Sequence, residues 1–125
     1  PMLIRFTGTG EVDTTFNQGS GYYVFGEGTY RGYLHALIGD NSGAVYAAGT
    51  TYNDSDCKNL VLKLLPDGSP DPSFGESGAI IDNNVPDAKE DFLDITMDDN
   101  GNLFCSGYQF NGTVYVPVLS KYSTR

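Results

Sequence analysis

The chain has 125 residues, with 16 acids against 7 lysines and arginines and a formal net charge of -9. This length suffices for one domain with a buried core, and the charge balance excludes a surface that grips phosphates through clustered bases, whether of nucleic acid or of anionic lipid. Sixteen glycines, 39% hydrophobics and 13% aromatics describe a folded, turn-rich protein, and no apolar run approaches the roughly 20 residues that cross a bilayer as a helix.

Nine short runs rich in Val, Ile, Leu, Tyr and Phe follow one another: Leu3–Phe6, Tyr22–Phe25, Leu34–Ile38, Val45–Ala48, Leu60–Leu65, Ala79–Ile81, Leu93–Met97, Leu103–Ser106 and Val114–Leu119. Their length and composition suit β-strands. Turn residues stand between them, as Asp40-Asn41-Ser42-Gly43, Pro66-Asp67-Gly68 and Asp99-Asn100-Gly101. Gly43 and Gly101 close two of these turns, where a positive φ is needed. No long segment has a helical period. The segment from Asp87 to Asp98 starts helix-like at Ala88-Lys89-Glu90 but turns strand-like by Ile95. The expected class is all-β. No basic-then-apolar leader opens the chain, so export is not visible in it.

The chain repeats itself. Shifted by 58 residues, it aligns Gly10 with Gly68, Asp13 with Asp71, Phe16 with Phe74, Asp40 with Asp98, Gly43 with Gly101, Gly49 with Gly107, Asn53 with Asn111 and Lys63 with Lys121. Apolar stretches align between these identities: Leu3-Ile4-Arg5-Phe6 over Val61-Leu62-Lys63-Leu64, and Val45–Gly49 over Leu103–Gly107. One extra residue near Gly19 is needed. The expected organisation is one domain over 1–125, with units of about 3–60 and 61–118 and a partial unit 119–125. Four short strands per unit is the arithmetic of a propeller blade.

The segment Leu62–Gly75, Leu-Lys-Leu-x-Pro-Asp-Gly-Ser-x-Asp-x-Ser-Phe-Gly, resembles the signature of the delta-60 repeat β-propeller family, found mostly in bacterial surface and secreted proteins. A weaker copy lies at Ile4–Asn17. The family's second element, a hairpin with an Asp-Gly-type turn and a closing Ala-Gly, is matched by Ile95–Gly107 and by Leu37–Gly49 with Ala48-Gly49. The resemblance implies a propeller, a bacterial cell-surface or extracellular location and often adhesion. It implies no catalytic residues. With strands lettered A to D, the chain reads C, D, then A, B, C, D, then A, B, C. Out-of-register ends of this kind suit a ring completed by homo-oligomerisation, with a trimer forming six blades favoured. The alternative is a fragment of a larger propeller.

Chemistry is sparse. Two cysteines, Cys57 and Cys105, and one histidine, His35, cannot supply four ligands for a structural zinc in any standard spacing. Cys105 reads as a small buried filler, and free thiols are preferred to a disulfide. Asp13 and Asp71 precede turns and read as acceptors that fix them. Asp98–Asn102 and Asp54-Ser55-Asp56 carry parts of a calcium loop without its full spacing. Pro1 would suit proton-transfer chemistry only in a β-α-β scaffold, which the strand pattern does not supply. No cofactor and no enzyme activity are expected. The nine tyrosines are the suggestive feature, offering flat faces with hydroxyl tips. Two readings stand for them, packing between blades and contact with a partner. Tyr30, Arg31 and Tyr33 are expected in the loop before a strand A, and Tyr52 and Phe110 in loops after strands B. With Tyr108, these are the candidate ligand contacts. The expected function is a non-enzymatic binding or adhesion module for a glycan or surface ligand; the alternative is an assembly segment of a larger fibrous protein.

Overall fold

The computed structural model describes residues 1–53, 56–82 and 88–124, with Asp56 described in its backbone alone. Among them the chain is all-β and contains no helix. The strands are β1 (Met2–Ile4), β2 (Tyr22–Val24), β3 (Arg31–Gly39), β4 (Val45–Asn53), β5 (Asp56–Leu64), β6 (Ala79–Asp82), β7 (Lys89–Met97), β8 (Asn102–Phe110) and β9 (Tyr115–Ser123).

Each apolar run nucleates one strand, but six strands extend to nine residues. Backbone pairing carries on past the last apolar side chain, because a ladder needs only N–H and C=O groups. Arg31 and Tyr33 therefore lie on β3 rather than in a loop before it. Tyr52 and Phe110 lie on the last turns of pairing of β4 and β8 rather than after them. The segment that starts helix-like becomes β7 from Lys89 onward; Asp87 lies outside the described residues.

Strands β3, β4, β5 and β6 form an antiparallel meander, and β7, β8 and β9 form a second. A single parallel bridge between Cys57 and Lys89 joins the two. β1 and β2 make a separate pair. The order matches strands C and D, then A to D, then A to C. Among the described residues no sheet closes into a ring.

The repeat is visible in the registers. Met2, Leu3 and Ile4 pair with Val24, Tyr23 and Tyr22; Leu60, Val61 and Leu62 pair with Ile81, Ile80 and Ala79. The first strands differ by 58 residues and the second by 57, which is the extra residue near Gly19. Both A–B hairpins carry a bulge at the same place, between Leu34 and Ala36 and between Phe92 and Asp94. Opposite each bulge lies a glycine. A Cβ on Gly49 would collide with the Tyr33 carbonyl oxygen, and one on Gly107 with that of Asp91. This close backbone approach is the reason for Gly at the end of each hairpin motif.

The turn acids also recur. Asp13 Oδ1 accepts from the Thr15 amide at 2.9 Å and its hydroxyl at 2.6 Å, and Asp71 Oδ1 accepts from Ser73 at the same two distances. The other oxygen of each takes a cation: Arg5 Nε at 2.8 Å from Asp13 and Lys63 Nζ at 2.6 Å from Asp71. Asp40 and Asp98 brace the hairpin turns, each Oδ1 accepting two backbone amides, while Gly43 and Gly101 adopt φ of 88° and 80°.

Two apolar layers flank the four-stranded unit. On one side Tyr46, Ala48, Val61 and Phe74 pack with Phe92, Ile95, Leu103 and Cys105 of the following unit. On the other, Ala47 and Leu64 pack with Leu3 and Phe16 of the preceding one, and Leu60, Leu62 and Ala79 pack beside Tyr23 and Phe25. The signature phenylalanines thus plug successive interfaces. At the chain's two ends the equivalent faces are open. Leu119 is 72% exposed where its counterpart Val61 is 0%, and Leu37 is 64% exposed where Ile95 is 7%.

Two outcomes are expected. Gly107→Ala should destabilise the fold by about 2–3 kcal/mol in denaturant titration, since the clash is with backbone and no side chain can yield. Lys63, then Ser73, holds the Asp71 carboxyl down at about 2, below its ordinary 3.8. A depressed carboxyl stabilises the fold above the ordinary range and loses that contribution as pH falls toward 2. Asp71→Asn should therefore cost about 1–3 kcal/mol at neutral pH and flatten the fall in stability between roughly pH 4 and pH 2.

Candidate functional site

The starts of β3, β5, β7 and β9 and the ends of β4 and β8 lie at one end of the two meanders, opposite the Asp40 and Asp98 turns. Two clefts open there. The first, about 650 Å³, is lined by Gly28, Thr29, Tyr30, Arg31, Tyr52 and Asn53. The second, about 160 Å³, is lined by Cys57, Lys89, Asp91, Tyr108, Phe110 and Tyr115, with buried Glu90 at its base. The 58-residue shift carries Arg31 onto Lys89 and Tyr52 onto Phe110, so each cleft pairs a cation at the start of a strand A with a ring at the end of a strand B.

In the first cleft, Tyr30 is fixed by its amide donating to the Gly26 carbonyl at 2.8 Å and by stacking on Phe25 at 5.7 Å between centroids. Tyr52 lies 6.2 Å from Tyr33, centroid to centroid, and Tyr33 lies 6.3 Å from His35. The Tyr33 hydroxyl beside it pushes the Tyr52 phenol up, while the nearby Arg31 guanidinium acts in the opposite sense. Thr51 Oγ1 donates to the Arg31 carbonyl at 3.0 Å, holding the backbone at that position.

In the second cleft, Tyr115 packs edge-on against Tyr108 at 5.3 Å and tilted over Phe110 at 4.5 Å. Below them is a polar layer. Thr50 Oγ1 donates to the Glu90 carbonyl at 2.8 Å and Asn59 Nδ2 to Glu90 Oε2 at 3.4 Å. His35 Nε2 meets Asp91 Oδ2 at 2.9 Å, tying the two A strands together. Asp91 Oδ1 is buried without a hydrogen-bond partner. Burial pushes the Asp91 carboxyl up in spite of His35, and burial followed by the Asp91 charge pushes the Tyr108 phenol up.

The candidate contacts thus divide: Tyr30, Arg31 and Tyr52 meet in the first cleft, Tyr108 and Phe110 in the second, and Tyr33 stands on β3 beside the first. Sequence reading does not single out Asp91, Glu90 or Lys89 as contacts, and it includes Tyr115 only as one of the nine tyrosines. Lys89 was within reach, since it is the repeat partner of Arg31. Asp91 was not, because its partner His35 is 56 residues away and meets it only through docking of two sheets.

No group of three His, Cys, Asp or Glu side chains among the described residues is placed to hold a metal ion. In Asp98–Asn102, Asp98 spends its oxygens on the turn, with Oδ2 accepting from Asn102 Nδ2 at 2.8 Å. Asp54 and Ser55 of the other acidic segment lie outside the described residues. Both cysteines are free; Cys105 is buried and its thiol is pushed up to about 12 by that burial.

No curated protein and no solved structure matched the chain. Residues 41–74, from the first hairpin turn through β4 and β5 to the signature Phe74, match a family described as a domain of unknown function (DUF5122) beta-propeller, and over that stretch the chain is similar to a β-propeller family.

Proposed function

We propose that this chain is a non-enzymatic binding module of delta-60 repeat type, belonging to a bacterial cell-surface or secreted protein, which recognises a glycan through its strand-end clefts. The observation that supports this reading is the pair of repeat-related clefts at one end, each built from a cation and a flat ring. A ring face suits the apolar side of a sugar, and the hydroxyl, amide and charged groups around it suit its hydroxyls. Duplicated weak sites on one surface raise overall affinity through avidity.

His35 pairs with half-buried Asp91 and has no serine or cysteine within hydrogen-bond distance among the described residues, and Glu90 takes a hydrogen bond from Asn59, so we read both clefts as binding sites. Hydrolytic turnover of a bound glycan would overturn the non-enzymatic reading.

The open end faces favour a second reading, an assembly element whose copies associate head to tail. Leu119 with Phe104 offers the kind of face that the preceding unit buries at Val61 and Tyr46, and Leu37 offers the face that Ile95 occupies. Closure of three copies into six blades requires β1 to yield to a neighbour's β9, since the two strands hold the same position in the repeat.

On a glycan array, the protein should bind a defined set of sugars. Tyr52→Ala, with its circular dichroism unchanged, should weaken that binding by about tenfold, the effect of losing one good aromatic contact. For the assembly reading, light scattering should give a mass of three subunits, and Leu119→Glu should reduce it to one; a monomeric parent chain would exclude the trimer.

A further inference from the structure

Arginine and lysine side chains in this strongly acidic chain are mostly occupied. Arg5 ends on Asp13 and Lys63 on Asp71, while Lys121 Nζ lies 5.6 Å above the Phe104 ring. Arg31 and Lys89 are the exceptions, with no carboxylate within ion-pair distance among the described residues. The Arg31 side chain is exposed and lines the larger cleft. The described lining of that cleft contains no Asp or Glu, whereas Glu90 and Asp91 line the smaller one. An arginine without an acid partner among the described residues, in a chain with 16 acids, offers its charge to an acid from outside.

We infer that the cleft formed by Tyr30, Arg31 and Tyr52 takes an acidic sugar, the Arg31 guanidinium gripping the sugar's carboxylate while the two rings and Asn53 hold its body. This inference rests on the glycan reading and names the ligand class for one of its two sites. The planar fork of a guanidinium matches a carboxylate through two parallel N–H···O bonds. Tyr30 is held in place by Phe25 and the Gly26 carbonyl, so one flanking ring is ordered before anything binds. The cleft volume of about 650 Å³ falls within the range of small-molecule sites. In the smaller cleft Lys89 shares the lining with buried Glu90 and half-buried Asp91, two carboxylates that oppose an anion there.

The test is an array and titration with uronic- and sialic-acid oligosaccharides beside their carboxyl-reduced counterparts. The acidic forms should bind at least about tenfold more tightly, the scale of one charge-assisted bidentate contact. Arg31→Gln should bring the ratio close to one while leaving the neutral forms unchanged. Lys89→Gln, the same change at the other cleft, should leave the ratio intact. The preference should also weaken with added salt. Equal binding of acidic and reduced forms, or a preference that survives Arg31→Gln, would overturn the inference and leave the glycan reading standing. Failure of every sugar to bind a folded protein would overturn the glycan reading and this inference with it.

Discussion

Strand β5 is buried on both faces, and the rest of the architecture is a consequence. Leu60, Leu62 and Leu64 point to one side and Val61 to the other, and each is at most 1% exposed. A strand with two apolar faces needs a layer on each, so the four-stranded unit has a neighbour on both sides. The preceding unit supplies Leu3 and Phe16, and the following one supplies Phe92, Ile95, Leu103 and Cys105. The same demand passes outward to the end units, where the described residues supply no further layer. The exposure of Leu37 and Leu119 is the residue of that unmet demand.

Between the layers, polar side chains fix the spacing and the angle. Each signature aspartate fastens its own turn through one oxygen and a cation through the other. The cation then lies over a ring: Arg5 is 4.5 Å from the Phe16 centroid and Lys63 is 5.4 Å from that of Tyr46. Arg5 also donates to the Pro66 carbonyl of the next unit at 2.6 Å, and Tyr122 donates to Asp82 at 2.7 Å across the other interface. These bonds connect units rather than strands. They explain why the signature keeps Asp, a base and Phe together, since one cluster serves turn, charge and interface at once.

The strands, the repeat and its one-residue irregularity were legible in the sequence because period-two burial and turn residues are local signals. The lengths of the strands were not. The final residues of β4, Thr50 to Asn53, are polar or aromatic and look like loop, yet they pair as regularly as the apolar ones. The bulges were invisible in Leu34-His35-Ala36 and Phe92-Leu93-Asp94; their trace lay across the strand, in Gly49 and Gly107. Half of the candidate site followed from the tyrosines and the repeat. The rest, Glu90 and Asp91 above all, depends on how two sheets meet, and a linear reading has no access to that.

That meeting also explains why two related clefts differ. Gly32 and Tyr33 of β3 become Glu90 and Asp91 in β7, and Tyr30 becomes Ala88. In the first unit the space above the A–B hairpin is lined by Tyr30, Tyr52 and Arg31, which has no carboxylate partner among the described residues. In the second, the acids turn inward: Asn59 and His35 of the neighbouring unit bind their carboxylates, and Thr50 donates to the Glu90 backbone carbonyl. The same positions that close one interface leave the other cleft open at its mouth. A duplicated unit has therefore kept its hairpin, bulge, turn and a cation at the start of strand A, while the next two residues diverged and serve docking in one copy alone.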